Sequence, residues 1–178
     1  RFENVAVLFC DVVEFTRWCD QHEPEAVVEQ LQTLVDVLED VAERHGVQKI
    51  KTIGDSFMAA AGLLRPSENP VLACVRAGLE MVREAAERTG WQLRVGIHVG
   101  PVVGGVVGRT QYLFDLWGDT VNTAARIEAH GEAGGVCVSE QAWAQVVDSC
   151  VGEALPAAEL KGKGRLLRWR IASVHEGV

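Results

Sequence analysis

Val47-Gln48-Lys49-Ile50-Lys51-Thr52-Ile53-Gly54-Asp55-Ser56-Phe57-Met58-Ala59-Ala60-Ala61-Gly62 reads as two short strands. They run from Val47 to Ile53 and from Phe57 to Gly62, and Gly54-Asp55 joins them tightly. Gly and Asp are the residues a sharp reversal demands. On the N-terminal side, Pro24 opens a helix at a first-turn position. Val27, Leu31, Leu34, Val35, Leu38, Val41 and Ala42 follow at helical spacing, and Gly46 ends the helix. On the C-terminal side, Asn69-Pro70 starts a second helix with a predicted buried stripe of Leu72, Val75, Leu79, Val82 and Ala86, closed by Gly90. The apolar run Asn4 to Cys10 suits a buried strand, and Gln92 to Val99 reads as a fourth.

The order strand, helix, strand, strand, helix, strand is the ferredoxin-like βαββαβ pattern. It predicts an α+β sandwich with a C-terminal αβαββ-type extension. That extension reads as a helix from about Asp119 to Ala129, a strand near Val136 to Ser139, a short helix, and a strand pair around Ala158 to Ser173.

A chain of 178 residues suits one domain with a full-sized core, so 1–178 is read as one unit. With 48% hydrophobic and 24% charged residues it has the composition of a globular domain. No apolar run approaches the roughly 20 residues of a membrane span, and no signal peptide opens the chain. It begins without Met, directly on a strand-like segment. It is therefore expected to be excised from a longer chain, whose other parts could include a membrane anchor. A net charge of -8 argues against broad nucleic-acid binding, which needs a basic surface. It leaves room for one nucleotide held by a few local cations. Cys10, Cys19, Cys74, Cys137 and Cys150 form no CxxC pair and are odd in number. This argues against zinc and a disulfide framework, and for a reducing, cytoplasmic setting.

Asp11 ends the first strand and Asp55 sits in the hairpin turn. In a ferredoxin-like sheet the first and third strands are neighbours, so both carboxylates reach one spot at the sheet edge. They would repel each other there unless a cation sat between them, and hard oxygen ligands suit Mg²⁺ or Mn²⁺. Each also has a plain alternative: Asp11 as a cap and Asp55 as a turn residue.

Five segments together carry a resemblance. Phe9-Cys10-Asp11-Val12-Val13-Glu14-Phe15-Thr16 and Lys49-Ile50-Lys51-Thr52-Ile53-Gly54-Asp55 resemble the two metal-binding motifs of class III adenylate and guanylate cyclases. Leu93-Arg94-Val95-Gly96-Ile97-His98-Val99-Gly100 is similar to the strand that follows them. Asp115-Leu116-Trp117-Gly118-Asp119-Thr120-Val121-Asn122-Thr123-Ala124-Ala125-Arg126 is similar to the segment with base and transition-state residues, and Leu160-Lys161-Gly162-Lys163-Gly164 to the last motif. One departure stands out: Glu14 occupies a position where the family usually has Gly, in the loop that cradles the β- and γ-phosphates. Its side chain is expected to point to solvent.

The resemblance implies an adenylate cyclase that converts ATP to cyclic AMP and pyrophosphate. Asp11, Asp55 and the Val12 backbone would hold two Mg²⁺ or Mn²⁺ ions per site. The loop containing Phe15 and Thr16 would bind phosphates, and Arg94 the β- or γ-phosphate. Asn122 and Arg126, four apart on one helix face, would orient the ribose and stabilise the transferring phosphoryl group. Lys161, with Lys163 nearby, would bind the α- and β-phosphates. Lys51 and Asp115 would read the base: lysine donates to adenine N1 and aspartate accepts from the 6-amino group. Family guanylate cyclases usually carry Glu and a Cys-like residue there. A solvent-facing strand lysine and a loop acid are the plain alternatives.

Lys51 and Asp55 are four residues apart yet would bind opposite ends of ATP. The family resolves this with a homodimer in which each site draws on both chains. No contact of this domain with nucleic acid or membrane is expected. The competing functions are a guanylate cyclase and a non-catalytic nucleotide-binding module.

Overall fold

A computed structural model of the chain describes residues 1–160 and 164–177. Lys161 and Lys163 therefore lie outside the described residues.

The core elements are β1 (Phe2–Val12), α1 (Phe15–Asp20), α2 (Pro24–Arg44), β2 (Gln48–Ile53), β3 (Ser56–Ala61), α3 (Pro70–Thr89) and β4 (Leu93–Val107). Then follow β5 (Leu113–Trp117), α4 (Asp119–Ala129), β6 (Gly135–Ser139), α5 (Glu140–Val146), β7 (Cys150–Ala154), β8 (Ala158–Leu160), β9 (Gly164–Leu166) and β10 (Arg168–Val174). The main sheet runs β2-β3-β1-β4-β6-β10-β7. Each neighbouring pair among its first four strands is antiparallel, in the ferredoxin-like order, and β6 joins β4 in parallel.

Local chemistry sets the helix ends. Pro24 and Pro70 occupy first-turn positions, the Asn69 side chain accepts from the Leu72 N–H at 3.0 Å, and Gly90 closes α3 in the left-handed region at φ 74°. One face of the sheet packs under α2, α3 and α5. Its core includes Leu8, Cys10, Leu38, Phe57, Leu93, Val95 and Ile97. The other face carries a smaller cluster, with Val5, Val7, Met58, Leu116 and Ala124 under α4 and β5.

Four details differ from the sequence reading. The fourth strand continues past Val99 to Val107, and β5 folds back on it as an antiparallel arm. Pro101 hides this continuity. It lies where the β1 ladder shifts register between Phe2 and Val5, an irregular stretch that spares it from donating a ladder hydrogen bond. Secondly, the short helix α1 precedes α2. Thirdly, the C-terminal part holds β7 and the separate pair β8–β9 as well as β10. Lastly, the buried stripe of α3 is Val71, Cys74, Val75, Ala77, Gly78, Met81 and Ala85, while Leu72, Leu79 and Val82 are half-buried and Ala86 is exposed. The helix turns its small residues inward because it lies close to the sheet. A Cβ at Gly78 would stand 3.1 Å from Val95 and 3.3 Å from Val136.

All five cysteines are unpaired, four of them buried. No helix among the described residues is long and apolar enough to cross a membrane.

Candidate active site

The ladder of β1 with β3 and β4 places three charged groups together. Asp11 pairs across β1–β4 with Arg94, and its Oδ1 lies 3.8 Å from the Arg94 guanidinium. Asp55 follows Gly54, which takes φ 59° in the β2–β3 turn. That turn brings Asp55 Oδ2 to the Val12 backbone N–H, which donates to it at 3.0 Å. Burial raises the Asp55 carboxyl above its ordinary value; hydrogen bonds from backbone N–H groups oppose the rise, and the Asp11 charge adds to it. The convergence expected at the sheet edge is present.

Sequence reasoning missed a third carboxyl. Glu128, near the end of α4, is 8% exposed. Burial first, then closeness to Asp11, push its carboxyl far above the usual carboxylate range. Glu128 Oε1 and Asp11 Oδ1 are both buried without a hydrogen-bond partner. A signal existed: Glu128 stands four residues after Ala124 and eight after Thr120, on the inward face of α4. This density of carboxyl oxygens, two of them without a hydrogen-bond partner, fits a hard divalent cation. No cluster of three or more His, Cys, Asp or Glu with metal-ligand geometry occurs among the described residues. The fit therefore rests on Asp11 and Asp55, with backbone or substrate oxygens completing any coordination.

Beside this group, α1 starts at Phe15 and Thr16, with Glu14 at its N-cap. The first helical bond runs from the Trp18 N–H to the Glu14 carbonyl, so the Phe15 and Thr16 N–H groups have no partner within α1. Phe15 and Trp18 pack edge-on against the buried Trp91, which anchors the short helix. Glu14 takes φ 56° and ψ 35°. It alone among the described non-glycine residues has a positive φ. Its side chain is 66% exposed and lies 3.8 Å from Arg17, in agreement with the outward orientation expected. The left-handed conformation costs an L-residue about 1–2 kcal/mol, more than the exposed ion pair returns. Glu14→Gly is therefore expected to raise Tm by about 1–3 °C after allowing for the greater freedom of the unfolded chain. Glu14→Ala, strained in the same way, should not. A thermal melt in which glycine gives no gain over alanine would refute the strain.

A second group lies on β2 and β5. Lys51 Nζ donates to Asp115 Oδ2 at 2.9 Å, and Asp115 Oδ1 accepts from the Leu116 N–H at 2.7 Å. The two residues predicted as a pair, 64 apart in sequence, meet in space. Asn122 is exposed on α4, and Arg126, four residues on, is half-buried with Asp119 Oδ1 at 3.9 Å. Among the described residues no hydrogen bond or ion pair joins the Lys51–Asp115 pair to the Asp11–Asp55–Arg94 group.

The whole chain has known counterparts. Residues 1–173 match the family described as the adenylate and guanylate cyclase catalytic domain. The germination-specific adenylate cyclase of Dictyostelium discoideum is 38% identical over 178 residues, covering 95% of this chain and 21% of that protein. The human guanylate cyclase soluble subunit beta-2 is 37% identical over 177 residues, covering 93% of this chain and 28% of that protein. This chain thus spans about a fifth to a quarter of those relatives' lengths. Among solved structures, the guanylate cyclase domain of RhGC from Catenaria anguillulae, in complex with GTP, superposes with a TM-score of 0.91 at 28% identity, covering 98% of both chains.

Proposed function

The chain belongs to the adenylate and guanylate cyclase catalytic domain family, and from that premise we propose that it forms cyclic AMP and pyrophosphate from ATP at sites shared between two copies. The observation that carries the choice of base is the Lys51–Asp115 contact at 2.9 Å. Adenine offers an acceptor at N1 and a donor at its 6-amino group, so its edge takes one hydrogen bond from Lys51 and gives one to Asp115. Their side chains are 39% and 22% exposed. A pair so open to water is worth about 0–1 kcal/mol, so opening it for a base costs little. Guanine presents N1–H and O6, which reverses both polarities. Once the bound base covers these two groups, each mismatch costs about 1–3 kcal/mol and disfavours it. Guanylate cyclases among the relatives make GTP the competing substrate.

Two divalent ions held by Asp11 and Asp55 would supply acidity to the ribose 3′-hydroxyl and neutralise the triphosphate. The protein's own part is positioning and charge placement. The Phe15 and Thr16 N–H groups and Arg94 hold the outer phosphates. Asn122 orients the ribose, and Arg126 faces the charge that grows on the α-phosphoryl group as the 3′-oxygen attacks in line and pyrophosphate departs. Lys161 adds a cation to the α- and β-phosphates.

The sharing of sites follows from reach. Lys51 and Asp55 are four residues apart, about 13 Å at full extension, yet they bind opposite ends of one nucleotide and point to different groups. A second copy supplies the other half. The apolar surface on the β4–β5 arm supports this: Val106, Val107, Tyr112 and Leu113 are each at least 59% exposed, a burden that a partner relieves.

The test has two stages. Purified protein with Mn²⁺ and either ATP or GTP identifies the cyclic product. Asp11→Ala and Asn122→Ala proteins, each nearly inactive, are then mixed. With free exchange about half the dimers are heterodimers, each with one intact site of two, so activity should return to roughly a quarter of wild type. No recovery, with exchange demonstrated, would refute the shared site.

A further inference from the structure

The face of β4 turned toward α4 carries Arg94, Gly96, His98 and Gly100 in alternation. The helix rests directly on this strand at two points. A Cβ on Gly96 would stand 2.2 Å from the Glu128 nitrogen, and one on Gly100 would stand 2.6 Å from Thr120 Oγ1. Midway between these contacts the strand has His98 and the helix has the buried Ala124. On this face of β4, His98 is thus the one side chain between the two contacts, and it is 9% exposed. Its Nδ1 lies 2.7 Å from Ser139 Oγ. That same oxygen accepts the Ala142 N–H at 3.1 Å and caps α5. The serine hydroxyl keeps its proton and a second lone pair, so it can donate to Nδ1 or accept from it.

We propose that His98 is a positioning residue that fixes the seat of α4 on the sheet, and through it the aim of Asn122 and Arg126. This rests on the roles given to those two residues above. A helix that meets the strand closely at both ends, through the Glu128 backbone at one and the Thr120 side chain at the other, has one adjustable support between them. A shift of α4 by an ångström would move Asn122 and Arg126 with it, and misplacement on that scale costs about a hundredfold in rate.

The surroundings hold the imidazole neutral. Burial lowers its proton affinity most; Asp119 of α4 raises it, and Arg126 of α4 lowers it. Glu128, at the far end of the same helix, and Arg94, on the same face of β4, are further ionisable groups on that side, and Ser139 contributes no charge. A proton on His98 would set a cation near the Arg126 cation, in a site where burial already disfavours charge. The seat of α4 is then lost on the acid side.

The experiment uses His98→Ala and His98→Gln in the whole chain, with kcat and KM for ATP measured across pH. His98→Ala should lower kcat about ten- to a hundredfold while KM changes less than about threefold, because Lys51, Asp115 and Arg94 lie off α4. His98→Gln, uncharged and able to bond Ser139, should recover most of kcat and lose the fall in kcat that wild type shows at acid pH. Wild-type kcat in the alanine variant, equal impairment of both variants, or an unchanged acid limb in His98→Gln would overturn the proposal. If the alanine variant does not fold, His98→Asn replaces it.

A second readout needs no catalysis. The His98 ring protons, followed by NMR, should titrate at higher pH in Arg126→Ala than in wild type. An identical titration would overturn the proposal even in an active enzyme. Absence of cyclic product from wild type with either nucleotide would sink the proposed function instead, and the titration would still decide the coupling.

Discussion

Asp55→Asn is expected to lower cyclic nucleotide formation at least about a thousandfold at saturating Mn²⁺, while the protein melts no lower than wild type. A thousandfold is about 4 kcal/mol, the scale of charge neutralisation that a bound divalent ion supplies to a phosphoryl transition state. The stability half of the prediction comes from the direction of the Asp55 shift. Its carboxyl is raised in the fold, by burial first, with the Asp11 charge adding to it. A carboxyl raised in this way favours the fold most when protonated, below its unfolded value, and that contribution is lost as pH rises through the folded value. At neutral pH without metal the ionised group therefore weighs against the fold. Asn removes the charge and keeps an oxygen for the Val12 N–H that now bonds Asp55 at 3.0 Å. Asp11→Ala should be as inactive and also folded, because it takes one carboxylate from a crowded group. Substantial turnover in either variant under saturating metal would sink the assignment, and circular dichroism with a thermal melt separates inactivity from unfolding.

The second large effect is on choice of substrate. Lys51→Glu combined with Asp115→Cys should shift the ratio of kcat/KM for ATP over GTP toward GTP by roughly a hundredfold to ten-thousandfold, from two hydrogen bonds that reverse polarity. Glu accepts from guanine N1–H, and the shorter neutral Cys takes away the carboxylate that would face O6. The two replacements act as a unit, since Lys51 and Asp115 bond each other directly. Either one alone leaves its partner's charge without a counterpart. A double variant that keeps the wild-type ratio would show that these residues do not read the base. Binding of fluorescent ATP and GTP analogues reports the same ratio if turnover is lost.

Much of this site was legible because its parts lie where local rules are strong. Asp11 closes an apolar strand and Asp55 follows the glycine of a tight turn, so the order of strands alone brings them together. Glu128 and His98 were not legible in the same way. A carboxyl on the inward face of α4 looks like one more solvated acid until the closeness of Gly96 to the Glu128 backbone shows how tightly the helix sits. His98 reads as part of an alternating strand, and its link to Ser139 spans 41 residues. The β5 arm escaped notice because Pro101 and the glycines after it look like a strand ending, whereas a ladder irregularity absorbs the proline.

By itself the sequence determined the succession of core strands and helices. Pro24, Asn69-Pro70, Gly54 and Gly90 act on the backbone next to them, and hydrophobic periods of two and about four identify the elements between. Only the tertiary structure decided which way Lys51 faces. Lys49 and Lys51 are two residues apart, and a regular strand would put both on one side of the sheet. The β2–β3 register shifts between them. Lys49 then pairs with Glu39 on α2, while Lys51 crosses to Asp115 on β5. One extra residue in a ladder reverses the side taken by everything beyond it. That register is set by how β2 packs against β3 and α2 together, which no local stretch of sequence records.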